Sequence, residues 1–457
     1  MQYVVYIALL VTAISVWQHS AKYALIRAYL PILLLLPDCY RAMTPGLPDP
    51  SFNQAAILPI FVAVIVSQYK YWRPSITDGL VFGFAFFVAY SEYSNAGYAE
   101  AQNLMFAMLT SVLAPYFAAR MCLENQDDDI ATARVFVISC VIVSAVSIYQ
   151  FRFGLNPWSL LFGPFFPGQG TGWVTTFRYG VARIAGPYSH AILAGIMLAM
   201  AWRLARWLEW GKFWEAQMRH IRLPGKKSNW VNGLLLLGIV MTIARGPWLG
   251  GAAGGILMWV SRGKERGKRL KLVLCVFVVG GLIGQAVLDS YLDIKPGTVM
   301  TMSQESAMYR KELMEKYEAI ALDHAAIGWG RNTWPKVGGM ESIDNYYLLL
   351  ALMHGIIALI FLILLMVWMV VRLVIRGLHD PAAPNSLPFT FAGIIVMVFI
   401  SLGTVYLGEQ PMPALFFIIG WAEALLKRNA VRSPTLSIEI ANRTTLGLNR
   451  GFRHVMR

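Results

Sequence analysis

LLLLGIVMTIARGPWLGGAAGGILMWV, residues 234–260, is uncharged from end to end except at Arg245. A guanidinium keeps its charge at any accessible pH, and at membrane depth it costs several kcal/mol even when the side chain snorkels. The stretch therefore reads as two apolar helices, 231–244 and 246–261, with the arginine at the tip between them. The same logic extends along the chain. Of 457 residues, 57% are hydrophobic and 14% charged, and the mean hydropathy is +0.53. Further apolar blocks fall at 3–19, 22–37, 55–70, 77–91, 101–120, 133–150, 187–207, 271–288, 345–371, 388–408 and 412–427. Each is long enough, or nearly so, to cross roughly 30 Å of hydrocarbon. The expected fold class is all-α, a polytopic integral membrane bundle of about 12–13 transmembrane helices. Residues 1–19 lack a basic leader and a small-residue cleavage site, so they read as a retained helix.

A net charge of +14 would suggest nucleic acid in a soluble protein. In a membrane bundle the positive-inside rule accounts for it, and no nucleic-acid partner is expected. Basic residues concentrate in 209–229 (Lys212, Arg219, Arg222, Lys226, Lys227), in 262–271 (Arg262, Lys264, Arg266, Lys268, Arg269, Lys271) and after Lys427. With these segments cytoplasmic, 151–186 and 289–344 lie outside, as do Arg245 and the N-terminus. The chain then divides into N-terminal transmembrane helices (1–150), an extracytoplasmic loop (151–186) and central helices carrying the arginine motifs (187–288). A large outer loop (289–344), C-terminal helices (345–427) and a basic tail (428–457) resting on anionic lipid complete it. Cys39, Cys122, Cys140 and Cys275 are scattered, with no C-x-x-C, so neither a disulfide framework nor a metal is expected. The run Asp127-Asp128-Asp129 falls on the cytoplasmic side and reads as the solvated face of a short loop. No internal repeat is visible.

The outer loops carry the chemistry. Segment 151–186, FRFGLNPWSLLFGPFFPGQGTGWVTTFRYGVARIAG, holds Arg152, Arg178 and Arg183 and no acidic residue. Phe162, Phe165, Phe166 and Trp173 in it read as interfacial anchors. Arginines without counter-ions, on the side where positive charge is depleted, point to an anionic ligand. In 289–344, Tyr309, Leu313, Tyr317, Ile320 and Ala321 form one stripe at helical spacing. That predicts an amphipathic helix at about 304–322, started by Ser303 and lying across the outer mouth of the bundle. A Gly-punctuated turn follows and leads through Asp344 and Asn345 into the next span.

Arg183, Arg245 and Asp344-Asn345 are thus expected on one outer surface. Guanidinium forks match phosphate oxygens, and a carboxylate or imidazole can take a proton from a hydroxyl. The set suits displacement of a sugar from a polyprenyl diphosphate, with arginines balancing the charge on the leaving group and no metal or cofactor needed. Arg245 could instead bond carbonyls at a helix end, Asp344 could cap its helix, and His354 within its span reads as an interior histidine.

Four strings in order, RIAGPYSHAILAG (183–195), TIARGPWLGG (242–251), YRKELMEKYEAIALDHAAIGWGRNTW (309–334) and SIDNYYLLLALMHGIIALI (342–360), resemble the O-antigen ligase and O-antigen polymerase superfamily of bacterial envelope membrane proteins. The resemblance covers about 183–360. It implies glycan transfer from an undecaprenyl-diphosphate carrier at the periplasmic face of the inner membrane. The acceptor is another carrier-linked repeat unit in the polymerases and lipid A-core in the ligases. It also implies diphosphate binding by Arg183 and Arg245, to which Arg178 and Arg310 are added, and loop or acceptor positioning by Asn345 and Arg331. Many members, ligases especially, have a histidine where this chain has Asp344, so either the base is Asp344, His324 or His190, or the step proceeds by leaving-group assistance alone. Members with Asp-Asn are associated with exopolysaccharide polymerases, which favours a polymerase over a ligase. The expected partners are the lipid-linked oligosaccharide, membrane lipid, a chain-length regulator and a flippase. The reading of another class is a transporter or flippase of lipid-linked glycans, for which a duplicated half-structure would speak.

Overall fold

The computed structural model describes residues 2–214, 225–263, 265–292, 302–340, 342–379 and 386–430. Residues 215–224 of the basic segment 209–229 and nearly all of the tail 428–457 lie outside these residues, as does the side chain of Ser303.

The described chain is a helical bundle. In order, the helices are α1 (Val5–Gln18), α2 (21–35, with a π turn at Leu25–Tyr29), α3 (Phe52–Gln68), α4 (Ile76–Cys122), α5 (Gln126–Phe153) and the short α6 (Pro157–Phe162). A two-stranded hairpin, β1 (Phe177–Arg178) and β2 (Val181–Ala182), leads to α7 (Ala191–Trp210), α8 (Lys227–Met241) and α9 (Arg245–Ser261). Then come α10 (Arg266–Leu292), α11 (Met302–Asp323), α12 (Tyr346–Leu378), α13 (Leu387–Leu402) and α14 (Pro411–Ala430). Each apolar segment expected from the sequence overlaps a helix. Among the described residues, five helices, α3 extended to Tyr71, α4, α5, α7 and α12, are long and apolar enough to cross a membrane. The protein is an all-α, multi-pass membrane protein. In α7, 83% of the most apolar stretch is buried, against 50% in α5 and α12. A helix apolar all round and covered all round is the inner column of the bundle.

Side-chain caps set several helix starts. Ser51 with Gln54, Ser75 with Asp78, and Asn125 with Asp128 each form a reciprocal capping box. The Asp127-Asp128-Asp129 run therefore does more than solvate a loop. Asp128 closes the box and pairs with Lys22, while buried Asp129 accepts from Arg428 and from the Trp421 indole. Helix α9 packs on α13 through Gly250 and Gly254. A Cβ at Gly254 would lie 2.7 Å from the Gly393 carbonyl oxygen, the close backbone approach that small residues permit between membrane helices.

Two long helices are broken at glycines. Gly97 (φ 75°) interrupts α4 and Gly355 (φ 81°) interrupts α12. At the second break the 324–330 turn inserts its backbone. Ile356 N donates to Ala325 O at 2.6 Å, while Trp329 N and Gly330 N donate to Leu352 O and Met353 O, both at 2.8 Å. The exchange satisfies the groups that the break frees, as backbone in an apolar span requires. Buried His354 lies beside Ser91 at 3.3 Å, whose hydroxyl also donates to Ile327 O, so this histidine helps lock the junction.

The bundle has two chemically different ends. At one, Lys22 meets Glu124 and Asp128, Lys427 donates to Arg73 O, and Arg134 donates to Phe213 O. The described parts of all three basic segments fall there. At the other, the long loops interlock: Gln169 bonds Arg41, Asp49 bonds Asn103, and Gln410 donates to Leu36 O and Pro187 O. The aromatic residues of 151–186 take part in this end differently from an interfacial belt. Phe166 and Trp173 are buried and pack with Tyr40 and Phe52, while Phe165 stays exposed. A loop this rich in Pro and Gly closes on its own aromatics when a neighbouring loop supplies partners for them.

Candidate active site

A cavity of 660 Å³ opens at the loop-rich end, and its lining includes Arg178, Arg183, Arg245, Arg310, His190 and Asp344. Four arginines thus face one space with a single aspartate. Among the described residues none of the four is paired with a carboxylate.

Each arginine arrives from a different element. Strands β1 and β2 are joined by Tyr179 and Gly180, at φ 54° and 76°, the pair of left-handed residues that the tightest hairpin turn demands. This turn sends Arg178 to donate to Ile243 O at 3.1 Å. Arg183 follows β2 and is 8% exposed; its Nε donates to Thr242 O at 2.9 Å. Those two carbonyls belong to the sharp α8–α9 turn, where Ile243 has φ 46°. The carbonyl-bonding role considered for Arg245 is therefore filled by Arg178 and Arg183. Arg245 itself is the first residue of α9 and donates to Tyr179 Oη at 2.9 Å. Ala244 supplies no side-chain cap. The N–H groups of Arg245 and Gly246 thus add the positive end of the helix dipole to the cavity wall. Arg310 comes from α11.

Helix α11 lies over the outer part of α12. Leu313, Tyr317 and Ala321 are buried, with Tyr309 and Ile320 partly so, against Trp334, Met340, Ile343, Leu348 and Leu352. Tyr317 Oη donates to Met340 O at 2.8 Å and Tyr309 Oη to Ser342 O at 2.9 Å. These contacts anchor the loop that carries Asp344. The aspartate is exposed to the cavity, with Ser342 Oγ at 3.5 Å. It is Asn345, one residue on, that caps α12, its Oδ1 accepting from Tyr347 N at 3.0 Å and Leu348 N at 3.4 Å. The carboxylate is thereby free of the capping role.

His190 caps α7, with Nδ1 accepting from Ile192 N at 3.2 Å. Burial, with the nearby Arg183 charge, lowers its pKa, and Asp344 opposes the shift. The imidazole is held neutral at physiological pH, and an acceptor Nδ1 leaves the proton on Nε2. His190 offers the cavity a donor, not a base. The Arg183 pKa is also lowered, by burial and then by Arg178, yet a guanidinium stays charged at neutral pH.

The remaining candidates lie elsewhere. His324 packs on Trp329, ring centroids 3.6 Å apart. Arg331 donates through N and Nε to the buried carboxylate of Glu92, at 2.9 and 3.1 Å, and so fixes the 324–334 turn to α4. Neither lines the cavity. Conversely, Thr404, Val405 and Tyr406 line it without having been singled out in the sequence. The span expected at 388–408 stops at Leu402, and residues 403–410 form a loop. The G-E-Q-P run at 408–411 was the available signal that the helix ends early.

Residues 230–363 match the family model described as O-antigen ligase. No curated protein matches the chain. The matched stretch contains Arg245, Arg310 and Asp344, while Arg178, Arg183 and His190 precede it and are brought to the same cavity by the fold.

Proposed function

We propose that the chain, whose residues 230–363 match the O-antigen ligase family model, is a glycosyltransferase of the O-antigen ligase and polymerase superfamily that moves glycan repeat units from an undecaprenyl-diphosphate carrier. The observation that carries the reading is the cavity in which four arginines meet one aspartate. The diphosphate lies against Arg183, Arg245, Arg178 and Arg310 and the α9 N-terminus, where bidentate hydrogen bonds and the helix dipole meet negative charge. His190 Nε2–H adds a neutral donor. Asp344 takes the proton of the acceptor hydroxyl as that oxygen bonds to the anomeric carbon. The bond from that carbon to the diphosphate breaks, and undecaprenyl diphosphate leaves with its new charge held by the arginines. These groups act without a metal.

We place the cavity at the periplasmic face of a bacterial inner membrane, a reading supported by the basic segments at the opposite end, which suit a cytoplasmic side. A chain-length regulator and a flippase are the protein partners such a reaction implies. Asp344, in place of the histidine common in ligases, favours a polymerase; the ligase description of the matched family favours transfer to lipid A-core. Gel profiles of a deletion strain separate the two. A polymerase defect loses polymer and keeps single-repeat products, whereas a ligase defect leaves full polymer on the carrier. Unchanged surface and carrier-linked glycans would refute both.

A further inference from the structure

Beside the cavity is a second carboxylate that the mechanism above does not use. Glu409 sits half-buried in the α13–α14 loop with φ 49°, a left-handed value that costs a non-glycine residue energy unless contacts enforce it. The contacts are specific. Its Oε2 accepts from Ser189 N at 3.2 Å, which holds the carboxyl beside Ser189. Ser189 Oγ is 3.0 Å from Tyr406 Oη, and Tyr406 lines the cavity. Glu409, Ser189 and Tyr406 thus stand in a row that ends at the substrate space. Gln410 holds the row in place by bonding both Leu36 O and Pro187 O.

We propose that Tyr406, Ser189 and Glu409 form a proton relay that delivers a proton to the departing diphosphate oxygen. This rests on the glycosyltransferase reading and adds the acid to it. The Glu409 carboxyl gives its proton to Ser189 Oγ, Ser189 gives its own to Tyr406 Oη, and Tyr406 Oη–H passes to the diphosphate oxygen as its bond to the sugar breaks. The acceptor's proton goes to Asp344. After release, Asp344 loses that proton to solvent and Glu409 takes one up, so the cycle is balanced. The environment suits an acid at neutral pH. Burial, then the Asp38 charge, raises the Glu409 pKa to about 7, against the opposing hydrogen bonds from Ser189 and the charge of Arg41. Cys39 is the other titratable neighbour, and the same burial and carboxylates push its thiol up to about 12, so it stays neutral. Asp38 is 4% exposed, and its Oδ1 has no hydrogen-bond partner among the described residues.

The test is the rate of undecaprenyl diphosphate release by the reconstituted protein, from a carrier-linked oligosaccharide, measured on both sides of pH 7. An acid must be protonated, so the rate should fall as pH rises through about 7. Glu409→Gln keeps the shape and should lower the rate by about 100-fold or more below that pH while erasing the alkaline fall. Ser189→Ala and Tyr406→Phe should each do the same, and the Glu409→Gln, Tyr406→Phe double variant should be no worse than either single one. An alkaline fall preserved in Glu409→Gln, or losses that multiply in the double variant, would overturn the relay. A wild-type protein that releases no undecaprenyl diphosphate would overturn the glycosyltransferase reading beneath it.

Discussion

Arg183→Lys separates a charge from a fork. The native side chain is 8% exposed and spends Nε on Thr242 O at 2.9 Å, leaving the rest of the guanidinium to the cavity. Lysine places its three donors on one tetrahedral nitrogen, so it cannot reach the carbonyl and also present a parallel pair of N–H groups to a phosphate. Losing one hydrogen bond from a charged donor removes about 1.5–3 kcal/mol, so the variant should fold with a lower melting temperature. Losing one preorganised donor to a developing anion costs about 2.7–4 kcal/mol, or about 10²–10³ in kcat. Initial rates of transfer from the lipid-linked donor, normalised to folded protein, measure the second figure. Detergent thermal unfolding measures the first. A lysine variant within about threefold of the wild-type rate, far short of the loss of one oxyanion donor, would show that position 183 supplies charge alone, and the bidentate argument would fail.

The other expectations are simpler to check. Arg245→Lys should be nearly as damaging as Arg245→Ala in the transfer assay, because a lysine point charge cannot hold Tyr179 Oη and still offer a planar fork to two phosphate oxygens. Asp344→Asn should abolish transfer at unchanged protein level, since Asn345 and not Asp344 caps α12. Asp344→His should retain activity, and loss in His190→Ala with activity kept in Asp344→Asn would move the base to the histidine. Gly254→Ala places a methyl 2.7 Å from Gly393 O. It should cost about 1–3 kcal/mol of stability, read as a lower unfolding temperature, with the rate per folded molecule unchanged.

The parts of this molecule legible in its sequence are those written in local contrast. Arg245 stands out because charge is rare in apolar runs, and the α11 stripe because its period is that of a helix. The break at Gly97 falls in the polar gap between the apolar blocks 77–91 and 101–120, whereas the one at Gly355 is hidden. The apolar run through 355 reads as one helix, and the break depends on a turn that precedes α12 in sequence but inserts beside it. His324 invites a catalytic role by its place before a Gly-Trp-Gly turn, yet the ring packs on the tryptophan of that turn. Glu409 and Ser189, 220 residues apart, have no shared local signal. Only the interlocking of the outer loops brings them together. Likewise, which of Asp344 and Asn345 caps the helix is decided by a single residue's backbone geometry, below the resolution of a sequence pattern.

The central claim is that the cavity transfers glycan and does not translocate lipid. The direct measurement places the purified protein in liposomes with a labelled undecaprenyl-diphosphate oligosaccharide in both leaflets, and follows carrier movement and glycan length together. Transfer predicts a ladder of lengthened glycan, or glycan on added lipid A-core, with one undecaprenyl diphosphate released per step and no protein-dependent crossing of carrier between leaflets. Carrier crossing the bilayer, with glycan length and the diphosphate bond unchanged, would contradict the account and make the four-arginine cavity the mouth of a transport path.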